Sequence, residues 1–170
     1  TMLKELGCSF AIIGHSERRH IFGEGNTLIN KRVKGALKFD LIPILCIGET
    51  LEERELDKTM PVLESQLREG LADADIASAN NLVIAYEPVW AIGTGKTASN
   101  EQAQQAHAFI REILTDIYEK SIASQIRILY GGSVNPDNVD SLMAQDDIDG
   151  ALVGGAALTS ESFDRIVHFK

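Results

Sequence analysis

Five short apolar runs, each followed by an amphipathic segment, predict an α/β protein built from parallel βα units. The runs are Phe10–Ile13, Leu41–Ile47, Leu82–Ala85, Ile126–Leu129 and Ala151–Val153. Their near-continuous apolar character suits strands covered on both faces. A second observation narrows the class. Each run ends in polar or glycine-rich punctuation: Gly14-His15-Ser16-Glu17, Gly48-Glu49-Thr50, Glu87, Tyr130-Gly131-Gly132-Ser133 and Gly154-Gly155. Residues drawn from the C-terminal ends of many strands toward one place are the habit of a (β/α)8 barrel, whereas an open doubly wound sheet gathers its site from fewer. A full barrel takes ~250 residues and eight units. The 170 residues here hold five such units and are expected to form a single domain, 1–170, representing roughly the last five units of a barrel.

Taken in order, Thr1 to Leu6 reads as the end of a helix capped by Gly7. An amphipathic helix is expected at about Thr27–Phe39. Another starts at Thr50, whose hydroxyl and Glu53 have capping-box spacing, and is expected to break at Pro61. Ser99-Asn100-Glu101-Gln102 repeats the start signal. Behind it Ala103, Ala106, Phe109, Ile110, Ile113, Leu114 and Ile117 form a helical stripe. A fourth helix is expected from Pro136 and a last one near Ser160.

The composition, 44% hydrophobic and 24% charged, is that of a globular protein, and no apolar run approaches the ~18 residues of a membrane span. A formal charge of −9 without a basic cluster argues against nucleic acid or anionic membranes as partners. A small phosphorylated substrate stays compatible, because backbone amides can bind it locally. The two cysteines, Cys8 and Cys46, lie far apart in or beside apolar runs. They read as buried thiols of a reducing compartment, hence a cytoplasmic protein, and not as a disulfide or metal site.

The chemistry concentrates in Tyr86–Ala98. Glu87 stands at a strand's end, where Pro88 halts further pairing. Behind it, Ala91-Ile92 and two glycines, Gly93 and Gly95, have the make-up of an apolar lid. A carboxylate beneath such a lid suits proton transfer away from water, although a plain surface loop with an incidental Glu has similar composition. His15 ends the first strand. Its simple alternative is a packed core residue, the reading given to His20, His107 and His168, and Glu17 with Arg18 would make an ordinary ion-pair cluster. Paired glycine turns after the last two strands, Gly131-Gly132-Ser133 and Gly154-Gly155, match the usual phosphate site of a barrel. Either pair alone could serve only close packing.

Four of these segments together resemble the triosephosphate isomerase family: Gly14-His15-Ser16-Glu17-Arg18-Arg19, Ala85-Tyr86-Glu87-Pro88-Val89-Trp90-Ala91-Ile92-Gly93-Thr94-Gly95, Tyr130-Gly131-Gly132-Ser133 and Gly154-Gly155-Ala156-Ala157-Leu158. The resemblance implies a TIM barrel that interconverts dihydroxyacetone phosphate and D-glyceraldehyde 3-phosphate through an enediolate, with no cofactor and no metal, in a cytoplasmic homodimer. It assigns Glu87 as the base and His15 as the electrophile, with Glu17 beside them as a third catalytic candidate. Gly93, Ser133, Gly154 and Gly155 take the positions of phosphate-binding residues. The family's first strand ends in an Asn-x-Lys segment with an active-site lysine, and its third unit carries a loop that docks into the partner subunit. Neither lies in these residues, so taken alone they are expected to be inert.

The chemistry asks for the same pair. Moving a carbonyl along a carbon chain needs a base for the C–H proton and a donor for the developing oxyanion. If Ser16-Glu17-Arg18-Arg19 opens a short helix, its N-terminus disfavours a cation at His15. Two readings compete. Another phosphate-binding barrel, such as a biosynthetic isomerase or an aldolase, would share the glycine turns. An aldolase would want a Schiff-base lysine at a strand end, and none of the five carries one, Lys96 lying within the lid. The other rival is a non-catalytic piece that keeps the motifs without the activity.

Overall fold

The structure, a computed structural model, describes residues 2–170; Thr1, counted above in the first helix, lies outside the described residues. The chain opens with α1 (Met2–Glu5), closed by Gly7 at φ +81°. The Gly7 amide donates to Lys4 and the Cys8 amide to Leu3, the paired bonds of a glycine-terminated helix. Strand β1 (Phe10–Ile13) leads into the one-turn α2 (Ser16–His20), then α3 (Asn26–Lys38) and β2 (Ile42–Ile47). Next come α4 (Leu51–Glu55), α5 (Thr59–Gly70), β3 (Val83–Tyr86), α6 (Asn100–Ile117), the short α7 (Lys120–Ala123), β4 (Arg127–Tyr130), α8 (Val139–Met143), β5 (Gly150–Ala151) and α9 (Ser160–Val167).

Both capping boxes form. Thr50 and Glu53 exchange bonds at the start of α4, as do Ser99 and Gln102 at the start of α6. Three boundaries differ from expectation by more than one residue. The break between α4 and α5 falls at Asp57, which adopts φ +54° while the Asp57 and Lys58 amides bond back to Arg54 and Glu53. Pro61 sits in the first turn of α5, where its missing N–H is no loss. Residues 136–138 form a turn, so the helix expected from Pro136, α8, starts at Val139. Strand β5 holds only Gly150 and Ala151 rather than Ala151–Val153, though the Leu152 amide still bonds to the Tyr130 carbonyl.

All strands are parallel and lie in the order β1-β2-β3-β4-β5. An unreversed order has no switch point. It is the arrangement of successive barrel staves, with each crossover stepping the same way. The register pairs Ile12 with Ile44, Ile44 with Val83, Cys46 with Ala85, and Ala85 with Leu129. Strand alternation then sorts the side chains. Leu45, Ile47, Ile84, Tyr86, Ile128 and Tyr130 pack in the core beneath the helices. Cys46, Val83 and Ala85 are buried on the opposite face, where Phe10 (46% exposed) and Ile12 (55%) of β1 meet solvent. One residue pair beyond Ala85, that same face carries Glu87.

Candidate active site

Glu87 is delivered by β3. Its amide donates to the Ile47 carbonyl at 2.7 Å, and the Gly131 amide donates to the Tyr86 carbonyl at 2.7 Å, so strand pairing on both sides fixes where it emerges. Two glycines make the fit possible. A Cβ on Gly48 would lie 1.8 Å from the Glu87 carbonyl oxygen, and one on Gly131 would lie 2.9 Å from Glu87 Cγ. The side chain is buried, and burial pushes its carboxyl above the ordinary range. The His15 ring, the Ser16 amide, Cys46 and Arg19 pull the other way without cancelling that effect. The Ser16 amide donates to Oε2 at 3.0 Å, and His15 Nε2 lies 3.4 Å from Oε1.

His15 is the N-cap of α2, as the sequence led one to expect. The Glu17 amide donates to His15 Nδ1 at 3.3 Å. A nitrogen that accepts an N–H offers a lone pair, so in the neutral ring the proton sits on Nε2, the nitrogen turned to Glu87. A carboxylate and an N–H donor thereby converge from two strand ends.

They open on a cavity of about 440 Å³, walled by the lid residues Ile92 and Gly93, by 131–135 after β4 and by 152–156 after β5. Gly93, Ser133, Gly154 and Gly155 all line it, together with His15 and Glu87. Glu17 does not. As the second residue of α2 it is exposed, and its amide donates to His15 Nδ1; among the described residues its side chain does not line this cavity. The two glycine pairs also differ in kind. Gly131 and Gly132 are demanded by packing, a Cβ on Gly132 lying 2.4 Å from the Tyr130 hydroxyl. A Cβ on Gly154 or Gly155 would meet nothing within 4 Å. The space above those two backbones is open, as an anion cradle requires.

The lid is anchored at both ends and free at its tip. Ala91 and Ala98 are buried while residues 93–97 are exposed, with Gly93 at φ +67° and Gly95 at φ +76°. Thr94 Oγ1 donates to the Trp90 carbonyl at 2.7 Å. The first anchor gathers on Glu49, which is fully buried. Its carboxylate accepts from Trp90 Nε1 at 2.9 Å, from the Tyr86 hydroxyl at 3.1 Å and from Arg54 Nη1 at 3.1 Å, and the Arg54 guanidinium covers the indole at 4.9 Å. Sequence reasoning singled out Glu49 only as strand-end punctuation. Its one local signal is a carboxylate directly before the helix-capping Thr50.

A five-stave parallel arc, with a buried carboxylate and an imidazole under a lid beside an open glycine cradle, belongs to the class of (β/α)8-barrel enzymes acting on small phosphorylated substrates. The particular family follows from comparison with known proteins. Residues 1–170 match the family described as triosephosphate isomerase. The chain is 60% identical over 169 residues to the triosephosphate isomerase of Syntrophotalea carbinolica, covering 99% of this chain and 67% of that protein. Those of Endomicrobium trichonymphae and Trichlorobacter lovleyi are each 57% identical, with the same coverage of both chains. The chain belongs to the triosephosphate isomerase family.

Proposed function

We propose that Glu87 and His15 carry out the family's reaction, the interconversion of dihydroxyacetone phosphate and D-glyceraldehyde 3-phosphate. The observation that carries this reading is the pairing itself: a buried carboxylate next to an imidazole whose Nδ1 is already occupied by the Glu17 amide. Glu87 removes the C–H proton beside the carbonyl. Negative charge then develops on the carbonyl oxygen, where the Nε2–H of His15 donates to it. The hydroxyl proton passes from the neighbouring oxygen to the former carbonyl oxygen by way of His15 Nε2, the protonated Glu87 returns its proton to the neighbouring carbon, and the carbonyl has moved. The pairing of a carboxylate base with a neutral imidazole is the established pattern of triosephosphate isomerases. The residual negative charge sits in a site partly closed from water, where a fixed donor counts for more than it would in bulk.

Gly93, Ser133, Gly154 and Gly155 hold the substrate's phosphate in this reading, the open backbone at 154–155 receiving the oxygens. The reaction draws on no metal and no cofactor. The lid closes over the enediolate and keeps it from expelling phosphate. Residues 1–170 act as one domain, the protein works as a homodimer like the family at large, and two free thiols suit a cytoplasmic setting. Among the described residues no helix is long and apolar enough to cross a membrane.

The test is Glu87→Gln in the full-length protein. Turnover should fall by ~10²–10⁴ with the fold intact, about 3–5 kcal/mol of barrier. A Gln variant that isomerises at near-normal rate removes Glu87 from the role of base.

A further inference from the structure

We propose that Arg19 is a positioning residue for this reaction, a guanidinium clamp that locks the end of β1 to the end of β2 behind His15 and Glu87. Its three donors go to three different places. Nε donates to the Gly14 carbonyl at 2.8 Å, Nη2 to the Cys46 carbonyl at 2.9 Å, and Nη1 to Asn26 Oδ1 at 2.7 Å. Gly14 immediately precedes His15, and Cys46 lies on β2 beside Ala85 in the row leading to Glu87. One planar group thus spans the backbone on which the imidazole is mounted and the strand that flanks the carboxylate. A lysine, a point charge on a flexible stem, cannot hold three fixed bonds in one plane.

Gly14 is shaped for this clamp. It takes φ +74°, and a Cβ there would lie 3.1 Å from Arg19 Nη2 and 3.1 Å from the Cys46 carbonyl. The bare backbone leaves room for the guanidinium to pass beneath the strand end.

The charge is the second observation. Burial lowers the Arg19 pKa, and among the described residues no carboxylate lies within ion-pair distance of it. The acids within electrostatic reach are the Cys46 thiol, Glu87 and Glu24. Glu24 is already held by Arg18 and Arg32. Glu87 is faced by His15 from the end of β1, by Arg19 from α2 and by the Cys46 thiol from β2, while β4 offers it only the glycine backbone of Gly131. Arg19 adds a lasting positive charge to the groups that oppose the burial of Glu87, behind the His15 ring, the Ser16 amide and Cys46 in size.

Fork and charge separate by substitution in the full-length protein, read as pH profiles of kcat and kcat/KM. Arg19→Lys keeps the charge and loses the fork: kcat should fall ~10-fold or more from the displaced His15 mount, with the acidic limb of the profile unmoved and KM little changed. Arg19→Met loses both, so kcat falls and the acidic limb also moves to higher pH. A structural role would lower the melting temperature of both variants and leave the profile of the folded enzyme alone. Wild-type kcat in Arg19→Lys overturns the clamp even if the Met variant does not fold, and an equal shift of the acidic limb in Lys and Met overturns the role of the charge. The inference rests on Glu87 being the base, and the two fail differently: a fully active Glu87→Gln removes the base, whereas an inert Glu87→Gln beside a fully active Arg19→Lys removes only Arg19.

Discussion

Acidification should destabilise this protein through His107, a residue that does not line the candidate site. The imidazole sits on α6, fully buried between the rings of Tyr86 and Tyr130, with centroids 5.8 Å and 6.3 Å away. Nδ1 lies 3.0 Å from the Asp147 carbonyl and so carries the proton, while Nε2 has no partner. Burial pushes the pKa from 6.5 down to about 4, against the smaller opposing pull of the Asp147 carbonyl. Because the folded value lies below the unfolded one, the unfolded chain binds the extra proton first. Stability is therefore complete above pH 6.5 and drains away as pH falls through that value toward 4. At about 1.4 kcal/mol per pH unit of separation, the full loss is about 3 kcal/mol, a large share of the ~5–15 kcal/mol that holds a typical domain. The assay is urea unfolding of the full-length protein at a series of pH values, for wild type and His107→Gln. The variant starts less stable, since it loses ring packing, but its stability should decline less steeply between pH 6.5 and 4. Parallel curves over that window would refute the argument, because they would mean that His107 takes up no proton on unfolding.

Two further perturbations report on the site. Gly48→Ala brings a methyl to within 1.8 Å of the Glu87 carbonyl, a contact that only backbone movement relieves. It should cost ~2–3 kcal/mol in denaturant unfolding and lower kcat together with it, and an unchanged kcat in a folded variant would mean that the end of β3 tolerates displacement. Deleting Ile92–Gly95 and rejoining the lid should leave the barrel folded, since residues 93–95 are exposed. It should also raise the share of substrate lost as inorganic phosphate; an unchanged ratio of phosphate release to isomerisation would relieve the lid of its guarding role.

What was legible in the sequence was what short-range chemistry decides. Thr50 with Glu53 and Ser99 with Gln102 close their boxes within one turn, so residues three apart suffice to foresee them. His15, Glu87, Gly93, Ser133, Gly154 and Gly155 come to line one cavity because each lies within the segment that follows a strand, and parallel strands deliver their ends to one rim. The misses share the opposite character. Asp57 follows α4 in a left-handed conformation that Asp adopts far less readily than glycine, and Pro61 is the more conspicuous breaker. Glu17 sits two residues from His15, and only the geometry of α2 reveals that it is exposed. The gathering of Trp90, Tyr86 and Arg54 on Glu49 joins segments up to 41 residues apart, which no local pattern announces. Nor could the sequence tell the packing glycines at 131–132 from the open pair at 154–155.

The unreversed order of the sheet also has a consequence for how the chain matures. Every strand finds its partner in the strand made just before it: β2 on β1, β3 on β2, β4 on β3 and β5 on β4. As the polypeptide leaves the ribosome, each new stave meets a template already present, and the loop to be closed spans only one helical unit. Glu87 acquires its Ile47 neighbour on β2 as soon as β3 emerges, and its Gly131 wall only with β4. The base is thus mounted before the pocket around it is finished.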